Sequence, residues 1–237
     1  MKLSIVIPAY NEAENLPLLI AALKKAIGPL DETREVLIVN DGSTDDSAEV
    51  LAKLRAENPS IRVLEMVKNA GQTAGFDAGF KAATGDVVVT MDADLQNDPA
   101  DIPRLLELIG ECDVVCGIRR KRHDNLVRRL SSKIGNWVRN TITQDNIIDT
   151  GCSLKAFKRD KLRGLTLYTG MHRFLPTLMK MRGCQVAQIE VNHHERKFGK
   201  TKYGVMNRAW RGLMDCLAVR WMGKRLLRYE LKPEEKI

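Results

Sequence analysis

The sequence predicts an α/β fold with a mostly parallel sheet, and two patterns support this prediction. Short apolar runs rich in β-branched residues recur along the first half of the 237-residue chain. Segments with apolar residues at helical spacing separate these runs. Such alternation is typical of β-α-β units, whose strands run parallel. The length suits one large α/β domain, or one domain with an appendage.

The first half of the chain contains four predicted strands, each ended by turn or polar residues. They are LSIVIPAY (3–10), EVLIVN (35–40), IRVLEMV (61–67) and DVVVTM (86–91). In parallel sheets ligands bind at the carboxyl ends of the strands. Tyr10, the Asn40-Asp41 pair and the segment from Asp92 to Asp94 all follow strands. The sequence therefore predicts a binding site at this edge of the sheet.

Helices are predicted between these strands. Residues 12–27 place Leu16, Leu19 and Leu23 at helical spacing, and residues 71–83 form another helical segment. Between them, DGSTDDSAEVLAKL reads as a turn leading into a helix, with Ser43 or Thr44 as its N-cap. Later elements are a strand at 113–120, a helix from about Leu126, an edge strand at 153–159, a helix at 170–182, a strand at 185–191 and a long helix at 205–228.

Charge divides the chain into two unlike halves. Residues 1–118 hold 10 Lys and Arg against 20 Asp and Glu, whereas residues 119–237 hold 28 against 10. The basic half is expected to contact an anion such as nucleic acid, a membrane surface or a phosphate-bearing substrate. Its basic residues are not interleaved with stacking aromatics, which disfavours nucleic acid.

Five cysteines without CxxC pairs indicate reduced thiols in a cytoplasmic protein. Met1 leads directly into a strand, so no signal peptide is expected. No apolar run approaches the length of a membrane span. A protein that works at a membrane would therefore lie on its surface, at the cytoplasmic face.

Asp92, Asp94 and Gln96 follow the fourth strand at alternate positions. In an extended segment their side chains would project to one side. Three hard oxygen ligands suit Mg²⁺ or Mn²⁺ and suit zinc poorly. The plainer interpretation is an acidic turn that caps the helix near Pro99, since such triplets also arise by chance.

The segment VNDGSTDDS lacks the glycine patterns of phosphate-binding loops. Its acidic residues would repel phosphate, so hydrogen bonding to a base or ribose suits it better. An ordinary Asp-Gly turn is the alternative.

Five segments can be read together: SIVIPAYNEAENL, VLIVNDGSTDDS, NAGQTAGFDAGFKAATGDVVVTMDADLQNDP, DTGCSLKAFKRD and HERKFGKTKYG. In this combination the chain resembles glycosyltransferase family 2, and within it the polyprenyl-phosphate branch that includes dolichol-phosphate mannosyltransferases. The resemblance extends from residue 3 to about residue 215. It implies a GT-A fold, a nucleotide-sugar donor and a divalent cation, Mg²⁺ or Mn²⁺.

The resemblance also implies roles for individual residues. Those expected at the donor nucleotide are Pro8, Tyr10, Glu12 and Asp41. Those expected at the metal and the donor diphosphate, as the catalytic residues, are Asp92, Asp94 and Gln96. Those expected at the acceptor phosphate are Arg119, Arg128, Ser132, Arg196 and Lys202, with Arg129 and Ser131 as rival assignments. Asn40 departs from the aspartate that is more usual in the family.

These roles predict a metal-dependent, inverting transfer of a sugar to a polyprenyl phosphate. An ionised phosphate is already nucleophilic, because its second pKa is about 6, so no Ser/His/Asp relay is needed. One alternative is a saccharide or lipid-headgroup acceptor, which would need a carboxylate base such as Asp149. Another is a non-catalytic, membrane-recruited nucleotide-sugar-binding subunit.

The domain organisation is predicted as a catalytic domain over 1–204, divided after residue 118, followed by a helix and tail over 205–237. The helix carries one apolar stripe that continues as charge, formed by Met206, Trp210, Leu213, Leu217 and Trp221 and then Lys224 and Arg228. A lipid substrate and two tryptophans favour a membrane-interfacial helix. Packing on the domain, or within a homo-oligomer, is the alternative.

Overall fold

A computed structural model describes residues 1–29, 33–119, 135, 137–195, 205–227 and 229, without the side chains of 205–209 and 211. Within these residues seven strands form one sheet in the order β3-β2-β1-β4-β6-β5-β7. The strands are β1 Leu3–Ala9, β2 Arg34–Asn40, β3 Ile61–Glu65, β4 Val87–Thr90, β5 Val114–Arg119, β6 Lys155–Lys158 and β7 Val186–Val191. All neighbours pair in parallel except where β6 is involved. The predicted mostly parallel α/β fold is confirmed.

Helices cover both faces of the sheet. They are α1 Asn15–Ile27, α2 Ser47–Glu57, α3 Gln72–Ala82, α4 Ile102–Leu108, α5 over 137–143, α6 Arg159–Leu162, α7 Leu175–Met181 and α8 Val205–Arg225, with short 3-10 helices at Pro99–Asp101 and Met171–Phe174. Leu16 and Leu105, from α1 and α4, belong to one buried cluster with the strands. Phe76 and Met179, from α3 and α7, belong to a second buried cluster. The sheet is therefore the middle layer of three.

Strand β6 lies inside the sheet, so its predicted edge position is wrong. It pairs antiparallel with β4 on one side and with β5 on the other. Ala156 and Phe157, two consecutive residues, are fully buried in the two different apolar clusters, which explains why both central side chains of this short strand are apolar. Because β6 runs against its neighbours, its first residue, Lys155, lies at the carboxyl edge of the parallel strands.

The start of α2 also differs from the prediction. Ser43 and Thr44 do not cap this helix, which begins at Ser47 after Asp46. Asp45 takes the local role, because its carboxylate accepts a hydrogen bond from the Ser47 backbone N–H at 3.0 Å. Ser43 is instead used between loops, where its hydroxyl accepts from the backbone N–H of Asn11.

Helix α8 packs on the domain with a different face from the predicted stripe. Cys216 and Val219 are buried against the segment 171–178, and Met222 packs beside them. The Arg220 guanidinium donates to the Ile142 carbonyl at 2.7 Å. The helix is therefore attached to the domain through its Cys216 face.

The predicted apolar stripe is largely left in solvent. Trp210, Leu217 and Trp221 are 67%, 46% and 63% exposed. Leu213 is half-buried, and the side chain of Met206 lies outside the described residues. The alternative in which the stripe packs on the domain is therefore wrong for Trp210, Leu217 and Trp221. None of the helices described is long and apolar enough to cross a membrane.

The cysteines carry no disulfide. All five fall within the described residues and are free thiols, three of them buried. This agrees with the sequence-based expectation of reduced cysteines.

Candidate active site

The carboxyl ends of β2, β1 and β4 lie next to one another, as the sequence predicted. In the register of β1 and β2, Ala9 is opposite Asn40. Tyr10 follows β1 and Asp41 follows β2, while Asp92 comes two residues after the end of β4. The fold thus gathers three separate sequence motifs at one edge.

The loops after β1 and β2 are joined into one unit by Asn11. Its side-chain oxygen accepts from the Thr44 backbone N–H at 2.8 Å, and its own backbone N–H donates to Ser43 Oγ at 3.0 Å. Asn11 has φ of +56°, a conformation that asparagine tolerates better than most residues. The sequence analysis missed Asn11; its position between a strand and a helix was the available signal.

Pro8 and Glu12, both predicted near the nucleotide, are fixed by their neighbours. Gly75 of α3 packs so closely on Pro8 that an added Cβ would lie 2.7 Å from the proline Cβ. The Glu12 carboxylate accepts from the Asn15 side-chain amide at 2.6 Å, and its backbone N–H donates to Ser47 Oγ at 3.0 Å. Both residues are therefore held rigidly at the predicted donor side.

Asp41 is buried and helps to position helix α3. Its two carboxylate oxygens accept from the backbone N–H groups of Ala70 and Gly71 at 2.6 and 2.8 Å. A carboxylate oxygen has two lone pairs, so each can accept a further hydrogen bond. The next residue, Gly42, has φ of +66° and lies against the backbone of Lys68, which leaves no room for a Cβ.

The Asp92 to Gln96 segment is a turn, so the predicted extended geometry is wrong. Strand β4 ends at Thr90, and Leu95 has φ of +61°, which reverses the chain. Asp94 Oδ1 accepts from the Gln96 backbone N–H at 3.1 Å. An aspartate that bonds two residues ahead closes a tight turn, and this local bond overrides strand geometry.

Asp92 and Asp94 are nevertheless close enough to interact. Burial, and then the negative charge of Asp94, raise the pKa of Asp92 to about 6. The Gln72 side-chain amide donates to Asp92 Oδ1 at 2.5 Å, from the first turn of α3. Two neighbouring carboxylates that destabilise each other as anions are the kind of ligand set that a divalent cation stabilises.

Asn97 fixes the backbone of this turn and was missed by the sequence analysis. It is buried, and its side-chain oxygen accepts both from the Asp92 backbone N–H at 3.1 Å and from Ser153 Oγ at 2.7 Å. Ser153 belongs to the DTGCSLKAF segment, far away in sequence. The bond therefore couples the acidic turn to the segment that precedes β6.

Arg119 lies at the end of β5 in a bidentate ion pair with Asp149. Its Nε and Nη2 donate to the two carboxylate oxygens at 2.7 and 2.8 Å. Burial alone would lower the pKa of Arg119, but hydrogen bonding to Asp149 and the charge of that carboxylate raise it. Gly151 must be glycine in this arrangement, because a Cβ there would lie 2.7 Å from Arg119 Nη2. The predicted acceptor residue is thus present and oriented by Asp149.

The other predicted acceptor residues, Arg128, Ser132, Arg196 and Lys202, lie outside the described residues, as do Arg129 and Ser131. Just after β7, the His194 backbone N–H donates to the Gln96 carbonyl at 2.9 Å. The end of β7 therefore lies against the acidic turn, and the chain enters the segment 196–204 from that point.

Comparisons with known sequences identify the family of the chain. Residues 4–166 match the model of a family described as glycosyl transferase family 2. The undecaprenyl-phosphate 4-deoxy-4-formamido-L-arabinose transferase of Salmonella choleraesuis is 40% identical over 207 residues, which cover 86% of this chain and 63% of the relative. The protein of that name from Yersinia enterocolitica is 38% identical over 208 residues, with the same two coverages. The chain spans about 63% of the length of these relatives.

Solved structures show the fold. A mannosyltransferase from Pyrobaculum calidifontis in complex with GDP-Man and Mn²⁺ has a TM-score of 0.66 at 20% identity, over 98% of this chain and 66% of the other. Glucosyl-3-phosphoglycerate synthase from Mycobacterium tuberculosis, in complex with Mn²⁺, UDP-glucose and glycerol 3-phosphate, has 0.67 at 20% identity, over 92% and 79%. The GT-A fold implied by the sequence is confirmed, and the chain belongs to glycosyl transferase family 2.

Proposed function

We propose that this chain transfers a sugar from a nucleotide sugar to a polyprenyl phosphate. The observation that supports this most directly is the order of charges along the carboxyl edge. The acidic residues follow β2 and β4. Arg119 is the last residue of β5, which is separated from β4 by β6. A reaction that joins two phosphate-bearing molecules needs such a division, with a metal site for one and cations for the other. The names of the relatives, which are undecaprenyl-phosphate sugar transferases, agree with it.

On the donor side, Tyr10, Glu12 and Asp41 contact the nucleotide. Asp92, Asp94 and Gln96 hold a divalent cation, Mg²⁺ or Mn²⁺. When bound, the cation neutralises the departing nucleoside diphosphate. Gln72 and Asn97 keep Asp92 in place through the bonds at 2.5 and 3.1 Å. The site is therefore preorganised for a charge that develops on the leaving group.

On the acceptor side, Arg119 binds the lipid phosphate together with Arg128, Ser132, Arg196 and Lys202. The phosphate attacks the sugar directly, since it is largely ionised near neutral pH. Asp149 is not the base that a hydroxyl acceptor would require. Both of its oxygens accept from Arg119, and Oδ1 also accepts from the Gly151 backbone N–H at 3.1 Å. These bonds engage Asp149 in orienting Arg119.

Residues 1–204 form the catalytic domain, and residues 205–237 attach it to the cytoplasmic face of the membrane. The exposed stripe of α8 supports this proposal, since Trp210, Leu217 and Trp221 face solvent and Lys224 and Arg225 follow them. Tryptophans prefer the headgroup depth of a bilayer, and basic residues near anionic lipid contribute about 1 kcal/mol each.

Sedimentation with anionic liposomes tests the membrane attachment. Binding of the wild type should fall with salt, and Trp221→Ser should weaken it. Tyr168→Ser, which removes an exposed aromatic side chain outside α8, is the matched control. A wild type that never sediments would contradict the attachment.

The function itself is tested by incubating the protein with UDP-glucose, UDP-GlcNAc or GDP-mannose, Mn²⁺ and a short polyprenyl phosphate. Mass spectrometry should detect a glycosylated lipid phosphate with one of the donors, and chelator should abolish it. Parallel reactions replace the polyprenyl phosphate with free polyprenol or with a saccharide. Transfer to either of these, with none to the polyprenyl phosphate, would assign the chain to the alternative acceptor class.

A further inference from the structure

A small polar cavity lies directly behind Asp92, between the end of β4 and the start of β6. Its volume is about 170 Å³. The side chains that line it include Asp92, Gln72, Ser153 and Lys155, together with His172 from the 3-10 helix at Met171–Phe174. The roles proposed above use only Asp92 and its partner Gln72 from this set, which leaves Lys155 and His172 without a function.

The hydrogen bonds around Thr73 fix the tautomer of His172. The Gly170 backbone N–H donates to Thr73 Oγ1 at 3.0 Å, and Thr73 Oγ1 lies 2.7 Å from His172 Nδ1. The Thr73 hydroxyl accepts from Gly170, and among the described residues His172 Nδ1 is the only acceptor found for the hydroxyl proton. Because Thr73 is only 7% exposed, an O–H left without an acceptor would be costly, so the hydroxyl donates to His172. Nδ1 must then be the acceptor, and a neutral ring carries its proton on Nε2.

His172 is consequently a hydrogen-bond donor towards the cavity and not a base. Burial, with the positive charges of Arg173 and Lys155, lowers the pKa of His172 to about 3. This keeps the ring neutral at physiological pH. Among the described residues, no hydrogen bond to the Nε2–H of His172 is found.

Lys155 adds a second donor to the same cavity. It is 2% exposed, and its ammonium donates to the Cys152 carbonyl. An ammonium has three N–H donors, so two remain beyond this bond. The cavity thus offers N–H donors from two side chains that are positioned by other parts of the fold.

We propose that this cavity receives the transferred sugar, and that His172 and Lys155 determine specificity by donating hydrogen bonds to its hydroxyl or acyl oxygens. The inference rests on the proposed function. Its basis is position: the cavity lies between the nucleotide side at β1 and β2 and the acceptor side at β5, where the sugar must be when it is transferred. With a volume of about 170 Å³, the cavity is too small for a whole nucleotide.

The test compares binding of an intact donor with binding of its nucleoside diphosphate, by calorimetry with Mn²⁺. The probes are UDP-glucose, UDP-GlcNAc and GDP-mannose against UDP and GDP. His172→Phe, which keeps a ring and removes the N–H, should weaken the nucleotide sugar about tenfold and leave the diphosphate unchanged. His172→Gln, which keeps a donor, should restore part of the loss.

Suppose that the wild type binds a nucleotide sugar. The inference is then overturned if His172→Phe weakens binding of the nucleotide sugar and of the diphosphate equally, or weakens neither. A wild type that binds none of the nucleotide sugars would overturn the proposed function as well. The tautomer is tested without ligand, by nitrogen NMR of ¹⁵N-histidine-labelled protein assigned with His172→Gln. We expect a bare Nδ1 and a protonated Nε2 at pH 7; a protonated Nδ1 would contradict the proposal.

Discussion

Glu35 and Asp92 lie at the amino and carboxyl edges of the same sheet. The surroundings of Glu35 stabilise its negative charge, whereas those of Asp92 destabilise it. Glu35, near the start of β2, accepts from Ser4 Oγ at 2.5 Å, from the Thr84 backbone N–H at 2.7 Å and from the Arg62 guanidinium at 2.8 Å. Burial alone would raise its pKa, but these bonds lower it to about 2. Its anion is therefore stabilised entirely by the protein.

Asp92, after β4, has fewer donors and a negative neighbour. Burial and Asp94 raise its pKa to about 6, against smaller opposite effects of Ser153, Lys155 and Arg119. A carboxylate with a raised pKa in a cleft marks a functional site more often than a structural one. The comparison teaches that the amino edge of this sheet is built for stability, whereas its carboxyl edge keeps charge that a ligand is needed to balance.

The largest expected effect comes from Asp94→Asn. Losing one carboxylate from the proposed metal site should reduce turnover by about 10²–10³-fold, because a metal ion contributes several kcal/mol to charge stabilisation. The fold should remain intact, since asparagine Oδ1 can still accept from the Gln96 backbone N–H. Glycolipid formation and circular dichroism measure the two outcomes.

Asp98→Asn is the matched control for that variant, because it removes the same charge four residues away. Its oxygen can still accept from the Ala100 backbone N–H, as Asp98 does at 3.0 Å. We expect its activity to stay within about twofold of the wild type. Equal losses in both variants would mean that overall charge matters and not the position of Asp94.

At the other edge, Glu35→Gln should lower the free energy of unfolding by about 1.5–3 kcal/mol and leave transfer activity unchanged. Glutamine loses the ion pair and places an amide where Arg62 donates. Denaturant unfolding at pH 7 measures the loss, and Glu57→Gln, on the exposed end of α2, is the control. An unchanged midpoint would show that the Glu35 network contributes nothing.

The same variant predicts a pH dependence. The folded pKa of Glu35, about 2, lies below its ordinary value of 4.5, so its stabilisation is present above pH 4.5. It is lost as pH falls towards 2. The difference in unfolding free energy between wild type and Glu35→Gln should therefore shrink over that window.

Sequence patterns predicted most of the sheet, because β1, β2 and β4 are continuous apolar runs and their carboxyl ends carry polar residues. The place of β6 could not be read from the sequence, since a four-residue strand is short enough to be either an edge or an insertion. Three members of the α8 stripe, Trp210, Leu217 and Trp221, are exposed, but sequence periodicity did not reveal that Cys216 and Val219 form the packed face.

At the site, the motifs identified the acidic residues and Arg119 but not what holds them. Asn97, Gln72 and Asp149 act through contacts between residues that are 20 to 56 positions apart in the sequence. Such long-range bonds leave no local pattern in a single sequence. The turn at Leu95 was missed for a related reason. The spacing of Asp92, Asp94 and Gln96 places their side chains on one side only if the strand continues, but β4 ends at Thr90.

The smallest expected effect is a gain in stability at Asp92, whereas the change at Glu35 is expected to cause a loss. Asp92→Asn should raise the stability of the metal-free protein at pH 7.5 by about 1 kcal/mol, once solvent screening is allowed for. The folded pKa of Asp92, about 6, lies above its ordinary value of 3.8, so the fold favours the protonated form. The stability associated with that form is present below pH 3.8 and is lost as pH rises through 6. The variant carries no such loss, because asparagine stays neutral and can still accept from Gln72.

Denaturant unfolding in excess chelator should show the stability advantage of Asp92→Asn at pH 7.5 and little of it at pH 4. Added Mn²⁺ should then stabilise the wild type and not the variant, which would reverse their order. A variant less stable than the wild type in chelator would contradict the view that Asp92, unlike Glu35, is held at a cost to folding.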